Sequence, residues 1–175
     1  KERGLFNAGP FSMRWDFAGR KIKELLDSGR LGRVAKISAH YYVASIRRYV
    51  QWGCPWVLRK RHAGGGNLFN CGIHMVDLLR FWGYAPRYLA GAASYEIHRG
   101  EVDDVATVLL KIGEAHATVE CGYLMDNPYG GARIEVFAEK GNIEYSRGRL
   151  RIAWADGARE EHENAEPEPR GRMMA

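Results

Sequence analysis

The chain has 175 residues, of which 46% are hydrophobic and 27% charged, a balance typical of a folded domain. Its net charge of +5 comes from scattered Lys and Arg residues, so we expect no nucleic-acid partner. No apolar run approaches the roughly 18 residues of a membrane span, so no membrane partner is expected either. Three irregularly spaced cysteines favour a reducing cytoplasm over a disulfide framework.

Four residues offer the donor atoms of a zinc site: Cys54, His62, Cys71 and His74. Structural zinc sites usually present two cysteines as a C-x-x-C pair, and this chain has none. We therefore expect no metal ion.

The first part of the chain predicts a helix followed by a strand. Apolar residues recur at helical spacing over about residues 16–28, with Asp16 as the expected N-cap and Gly29 as the glycine that ends the helix. Apolar and polar residues then alternate over about 34–45, which predicts a half-buried strand. Residues 46–63 have no clean period and are interpreted as a long loop.

The second part predicts a helix over about residues 67–82 and then strands from about 88 to 154. The predicted strands cover residues 88–97, 104–112, 115–123, 132–139 and 142–154, and the last of them has a possible fold-back at 147–148. Helices followed by a run of strands favour an α+β fold, a mostly antiparallel open sheet with helices packed on one face. We expect one domain over 1–157 and a polar, frayed tail over 158–175.

The segment GGGNLFNCGIHMVDLLRFWG, residues 64–83, carries the candidate chemistry. On a regular helix, Asn70 and His74 are four residues apart and point into the same space. Two interpretations stay open. His74 is either a boundary histidine hydrogen-bonded through Asn70, or an acid–base group in a cleft, for which its ordinary pKa near 6.5 is suitable. On the same helix an apolar seam faces the core: Leu68, Cys71, Met75, Leu78 and Trp82.

The glycines at 64–66 do not form a G-x-G-x-x-G motif, because the third glycine is absent and a basic loop precedes them instead of a strand. They leave room for close approach by a ligand or a neighbouring element. The basic cluster at 59–61 either binds an anionic substrate or is a solvated loop. Asp103 and Asp104 face opposite sides of a strand, so they cannot share a proton, and one of them is interpreted as a turn or packing residue.

Three segments taken in order resemble a known family. They are RWDFAGRKIKELLDSGRLGRV, PWVLRKRHAGGGNLFNCGIHMVDLLRFWG and EVDDVATVLLKIGEAHATVE. Together they resemble the C-terminal domain of the Gfo/Idh/MocA oxidoreductases, which include glucose–fructose oxidoreductase and inositol dehydrogenase. The resemblance covers about residues 10 to 150, and its most specific part is the GGG-x3-D-x-G-x-H-x2-D pattern.

The resemblance implies a two-domain enzyme. An N-terminal Rossmann domain would bind NAD or NADP and supply the lysine of a Glu-Lys-Pro motif, while the C-terminal domain would bind substrate and form oligomers. This chain contains no G-x-G-x-x-G after a strand and no Glu-Lys-Pro, and it begins without Met. We therefore expect it to be the C-terminal domain alone, inactive by itself, with the cofactor domain outside it.

The resemblance also implies the reaction, hydride transfer between a nicotinamide cofactor and a sugar, cyclitol or related polyol. His74 takes the position of the histidine that exchanges a proton with the substrate hydroxyl, and Asn70 takes that of the family aspartate. An amide can orient a hydroxyl but cannot accept a proton, so we expect the proton path to differ from the family's at residue 70. Arg14, Trp56 and Arg59 lie in segments that line the substrate pocket in relatives, and they are weaker candidates.

Asn70 also motivates a second hypothesis, a non-catalytic sheet-mediated dimerisation or sensor domain from a relative that has lost the acid–base pair. The resemblance further implies a homodimer or homotetramer formed through the open sheet face.

Overall fold

The computed structural model describes residues 11–43, 49, 51–98, 100–124 and 131–164. Within these ranges eight strands form one open sheet in the order β2-β3-β4-β1-β5-β6-β7-β8. The strands are β1 Val34–Val43, β2 Arg87–Ser94, β3 Val105–Ile112, β4 Ala115–Tyr123, β5 Gly131–Ala138, β6 Gly141–Ser146, β7 Arg149–Trp154 and β8 Arg159–Glu163. Neighbouring strands are antiparallel except β1 and β4, which are parallel. The predicted α+β fold with a mostly antiparallel sheet is confirmed.

Strand β1 joins two antiparallel meanders, one of β2, β3 and β4 and the other of β5 to β8. Its parallel pairing with β4 matches Lys36 to His116, and its antiparallel pairing with β5 matches Ile37 to Val136. The chain between β1 and β4 must therefore cross over the sheet, and the segment with His74 lies in that crossover.

The two longer helices pack on one face of the sheet, as predicted. The helices are α1 Phe17–Asp27, α2 Lys60–Ala63 and α3 Ile73–Phe81, with 3-10 turns at Ser12–Arg14 and Pro55–Leu58 and a π-helical turn at Leu68–Gly72. The Trp82 indole N–H donates to the Gly19 carbonyl at 3.0 Å, which ties the end of α3 to α1. No helix among these residues is long and apolar enough to cross a membrane.

The core lies between these helices and the sheet. Residues that alternate along each strand are buried against α1 and α3, among them Ile37, Ala117, Val136, Ile143 and Leu150. Their neighbours along the strands lie on the opposite face and are exposed or half-buried, for example Lys36, His116 and Glu144. The period of two in the sequence therefore assigns the two faces correctly.

Some predicted element ends are wrong. Strand β2 ends at Ser94 rather than 97, because the Asp104 carboxylate accepts hydrogen bonds from the Ile97 and His98 amides and draws them into a turn. Strand β1 ends at Val43, and residues 44 and 45 of the prediction lie outside the described residues.

The last predicted strand, 142–154, is a hairpin of β6 and β7. Its turn places Arg147 at φ 50° and Gly148 at φ 80°, the left-handed pair of a two-residue hairpin turn, as the possible fold-back implied.

The tail predicted to fray from residue 158 instead forms β8, which pairs with the free edge of β7. Arg149 lies 2.8 Å from Glu163 across this pair, so the polar composition of the tail supplies cross-strand charge pairs rather than disorder. Residues 165–175 of the predicted tail lie outside the described residues.

The assignment of faces is testable with two adjacent residues of β6. We expect Ile143→Ala to lower the free energy of unfolding by about 2–5 kcal/mol, because it leaves a cavity between the sheet and the helices. Glu144→Ala on the open face removes only a distant partner of Arg133 and should cost less than about 1 kcal/mol. Urea unfolding measures both, and equal losses would contradict the assignment.

Candidate active site

Asp103 holds the glycine run at 64–66 and the start of the π-helical turn in place. Its two carboxylate oxygens accept hydrogen bonds from the Gly66 amide at 2.9 Å and the Leu68 amide at 2.8 Å, and its carbonyl accepts from the Asn67 amide. A Cβ atom at residue 66 would lie within 2.3–2.5 Å of Asp103 atoms. Glycine is therefore required there by a neighbouring strand end, which is one of the two close approaches that the glycine run predicts.

Asn70 lies in a π-helical turn, Leu68–Gly72, whereas His74 lies in the α-helix that follows this turn. The Ile73 amide donates to the Leu68 carbonyl, five residues back, so the turn is wider than that of an α-helix. The expectation that Asn70 and His74 point into the same space assumed a regular α-helix, and their contacts in the structure go to different neighbours. The prediction of an α-helix over 67–82 is correct only for Ile73–Phe81.

Asn70 is bound to the sheet side of the domain. Its amide nitrogen donates to the hydroxyl of Tyr123 at 2.8 Å and to that of Tyr49 at 3.1 Å. Tyr123 is buried at the end of β4, and burial raises the pKa of its hydroxyl far above the ordinary value, so this hydroxyl stays protonated. Asn70 is thus held in a network of neutral hydrogen-bonding groups.

His74 lies on the second position of α3, half-buried against the N-terminal turn. The Phe11 ring contacts the imidazole edge-to-face, with 5.8 Å between ring centroids. The imidazole Nδ1 is buried without a hydrogen-bond partner among the described residues, so the boundary interpretation, a histidine bonded through Asn70, is not what the structure has. Burial lowers the pKa of His74, while the charges of Asp77 and Asp16 act in the opposite direction. The ring is therefore neutral near pH 7.

Arg14 is the one weaker candidate that the structure brings to His74. Its guanidinium binds both carboxylate oxygens of Asp77, with 2.7 Å from Nε to Oδ2. Asp77 lies three residues after His74 on α3, so both side chains are on the same part of the helix surface.

Trp56 and Arg59 lie beside the Asn70 end instead. The 3-10 turn of Trp56 packs through Val57 against Cys71 and Tyr123, while the Trp56 side chain is 49% exposed. Arg59 is exposed, and its guanidinium contacts the Glu101 carboxylate at 2.8 Å. This contact lowers the pKa of Glu101 and pairs the Arg59 guanidinium with a carboxylate of the same chain. The pairing favours the interpretation of the basic cluster as a solvated loop.

The four zinc candidates do not form a metal site. Among the residues that the structure describes, no group of three or more His, Cys, Asp or Glu side chains is placed to hold a metal ion. Burial raises the pKa of the third cysteine, Cys121, to about 12, so its thiol stays protonated at neutral pH.

Sequence reasoning missed the two tyrosines that bind Asn70 and the role of Asp103. Tyr123 had a usable signal, since strand alternation places it on the helix-covered face at a strand end. Tyr49 and Asp103 had no such signal, because they are distant in sequence from the residues that they contact. Tyr49 is 21 positions from Asn70, and Asp103 is 35–37 positions from Leu68 and Gly66.

Comparison with protein-family models now gives a match to the GFO/IDH/MocA C-terminal domain over residues 20–144. The chain belongs to this family. The match begins within α1, includes the segment with Asn70 and His74, and ends within β6.

Solved structures of oxidoreductases share the fold. An oxidoreductase from Agrobacterium radiobacter in complex with NAD+, L-tartaric acid and magnesium is 23% identical at a TM-score of 0.73, over 90% of this chain and 45% of that chain. An inositol dehydrogenase homolog from Azotobacter vinelandii, complexed with NAD+, is 15% identical at 0.75, over 90% and 43%. An aldose–aldose oxidoreductase from Caulobacter crescentus, complexed with glycerol, is 22% identical at 0.70, over 91% and 48%.

This GFO/IDH/MocA C-terminal domain therefore spans about half the length of the solved relatives. A comparison with curated proteins finds no match to the chain.

The clamp that Asp103 forms on the glycine run is testable by stability. We expect Asp103→Ala to cost about 1–3 kcal/mol, because two backbone donors lose their acceptor, and Asp103→Asn to cost less because one oxygen remains. As a control, Asp156→Ala removes an acceptor for the Ala158 amide in an exposed turn and should cost less than Asp103→Ala. Chemical unfolding, with hydrogen exchange at Gly66 and Leu68, measures the effect. Unchanged exchange at those amides would contradict the clamp.

Proposed function

We propose that this chain is the substrate-binding and oligomerisation domain of an NAD(P)-dependent oxidoreductase that acts on a sugar, cyclitol or related polyol. The observation that carries the proposal is His74, a neutral, half-buried imidazole within the residues that match the family. It lies on the motif helix, which comprises the π-helical turn and α3 over residues 67–81. The solved relatives that share the fold hold NAD+ or small polyhydroxylated molecules such as L-tartaric acid and glycerol. The fragment alone is expected to be inactive.

The glycine run of this chain does not fit the phosphates of a dinucleotide. The amides of Gly66 and Leu68, which lie where a phosphate would be bound at a helix start, are already occupied by the Asp103 carboxylate. A second anion at that place would be repelled by the same carboxylate. We therefore assign binding of NAD or NADP to a domain outside this chain.

The chemistry assigned to this chain is proton transfer at the substrate hydroxyl. His74 is neutral near pH 7, so its imidazole can accept the hydroxyl proton as an alcohol is oxidised and return it in the reverse direction. The Phe11 ring against the imidazole restricts its rotation and covers one side of it with apolar surface.

Asn70 is assigned an orienting role. Its amide nitrogen is already shared between two tyrosine hydroxyls, which fixes the direction of its side chain. An amide oxygen accepts hydrogen bonds but takes up no proton, so the acid–base step does not pass through residue 70. Trp56 lies on the neighbouring 3-10 turn with half of its side chain exposed, where it is available to a substrate bound at the Asn70 end.

The network around Asn70 also favours a second candidate, a non-catalytic dimerisation or sensor domain. Asn70 satisfies two tyrosine hydroxyls at the sheet, which is a structural role that needs no substrate. In this candidate, as in the first, the open sheet face forms a homodimer or homotetramer. Half-buried groups on that face, such as His40, Tyr42 and Glu120, would lie in the contact.

The catalytic role of His74 is testable in the full-length protein with its cofactor domain. We expect His74→Ala to lower kcat on the best polyol of a panel by about 10²–10⁴-fold, because the hydroxyl proton loses its acceptor. His162→Ala is the matched control, since this histidine lies on the edge strand β8 and pairs with Leu150 of the helix-covered face, so it belongs neither to the candidate site nor to the open sheet face. Initial rates with NAD and NADP measure the effect, and an unchanged rate for His74→Ala would refute the assignment.

Asn70→Asp separates the two candidates. If the wild type turns over a polyol, the enzyme proposal holds. If no polyol turns over but Asn70→Asp restores turnover, the degenerate, non-catalytic candidate is supported, because only a carboxylate at that position can take part in proton transfer.

The occupation of the Gly66 and Leu68 amides by Asp103 gives a binding prediction for this chain by itself. Titration calorimetry with NADH should show no binding with a Kd at the micromolar level, which corresponds to about −8 kcal/mol. Micromolar binding would contradict the assignment of the cofactor to another domain. Asp103→Asn provides the control, because it removes the competing charge while keeping one acceptor for the amides.

A further inference from the structure

Arg14 and Asp77 form a partly buried ion pair on the same part of α3 as His74. The Asp77 side chain is 8% exposed, and Arg14, which is 39% exposed, binds it through two nitrogens. Removing one partner of such a pair leaves a buried charge without compensation, so the two residues are expected to depend on each other. This role differs from the substrate contact that sequence analysis suggests for Arg14.

The same arginine also supports the aromatic wall of His74. The Arg14 guanidinium carbon lies 5.6 Å from the centroid of the Phe11 ring, and that ring contacts the His74 imidazole edge-to-face. Asp77 anchors Arg14 to α3, so the N-terminal turn Ser12–Arg14 is attached to the helix of His74 at a second point. The ion pair and the aromatic contact therefore both fix the N-terminal turn to the helix that carries His74.

The charged groups that face His74 come from two elements. Asp77 lies on its own helix, and Asp16 and Arg14 lie on the N-terminal segment packed against it. Two carboxylates near an imidazole favour its protonated form. Arg14 binds the Asp77 carboxylate, and burial has a larger influence on the pKa of the ring than either carboxylate.

We propose that Arg14 and Asp77 are positioning residues for His74: their ion pair fixes the Phe11 ring against the imidazole and places a cation beside the Asp77 carboxylate. The proposal rests on the proposed function only for its catalytic meaning, since the seating and the charge balance are properties of this chain.

The test is an NMR titration of the histidine ring protons in this chain, with His74 assigned by the loss of its signal in His74→Gln. Arg14→Gln leaves the Asp77 charge uncompensated and should raise the titration midpoint of His74 by about one pH unit. Asp77→Asn leaves the arginine charge and should lower the midpoint. The double variant Arg14→Gln/Asp77→Asn is neutral and should return it towards the wild-type value.

Lys23→Gln is the matched control, because Lys23 is a nearby cation that lies 5.6 Å from the Phe81 ring and pairs with Asp27 rather than Asp77. Shifts of opposite sign in the two single variants support the proposal, since a purely structural loss would move both midpoints the same way. Shifts of the same sign, or none beyond that of Lys23→Gln, overturn it. If Arg14→Gln fails to fold, a lowered midpoint in Asp77→Asn and its recovery in the double variant still support the proposal, and their absence overturns it.

Activity of the full-length protein distinguishes this proposal from the proposed function. If His74→Ala leaves turnover unchanged, the catalytic role fails, while the NMR midpoints still decide the positioning role. If turnover depends on His74, the acidic limb of the kcat/KM profile should move up in pH for Arg14→Gln and down for Asp77→Asn. A fixed limb in both variants would contradict the positioning role.

Discussion

The Asp103 carboxylate, bound to the backbone amides of Gly66 and Leu68, is the contact on which the candidate site depends. It joins the start of β3 to the start of the motif helix and leaves no room for a side chain at residue 66. The π-helical turn follows directly, so the orientations of Asn70 and His74 are both set relative to this contact. In this protein a glycine run that resembles a nucleotide cradle instead receives an internal anion.

The π-helical turn places the side chains of Asn70 and His74 in two different environments. Asn70 is hydrogen-bonded to two tyrosine hydroxyls at the sheet, whereas the His74 ring contacts the Phe11 ring, beside the ion pair of Arg14 and Asp77. A regular α-helix would have placed the two side chains on one stripe and coupled them directly. In the proposed function, residue 70 orients hydrogen bonds and residue 74 transfers the proton, so the two roles need no direct contact between these side chains.

Sequence patterns predicted the parts of the fold that depend on local periodicity. Alternation identified the buried faces of the strands, and Gly29 ended α1 at φ 68° as expected. Patterns of one segment carry no information about contacts between distant segments. For that reason the Asp103 clamp and the Tyr49 hydrogen bond were not predicted. The hairpin of β7 and β8 is local, and it was missed because the polar composition of β8 is typical of a frayed tail. A π-helical turn has the same residue spacing in the sequence as an α-helix until its hydrogen bonds are known.

The position of β1 has a consequence for how the domain folds. Each meander pairs strands that are neighbours in the chain, so both can form early from local hairpins. β1 completes the sheet only when Lys36 reaches His116, a non-local pairing that closes a long loop at an entropic cost. The motif helix lies inside that loop. His74 is thus carried by a segment whose position in the domain depends on this non-local pairing.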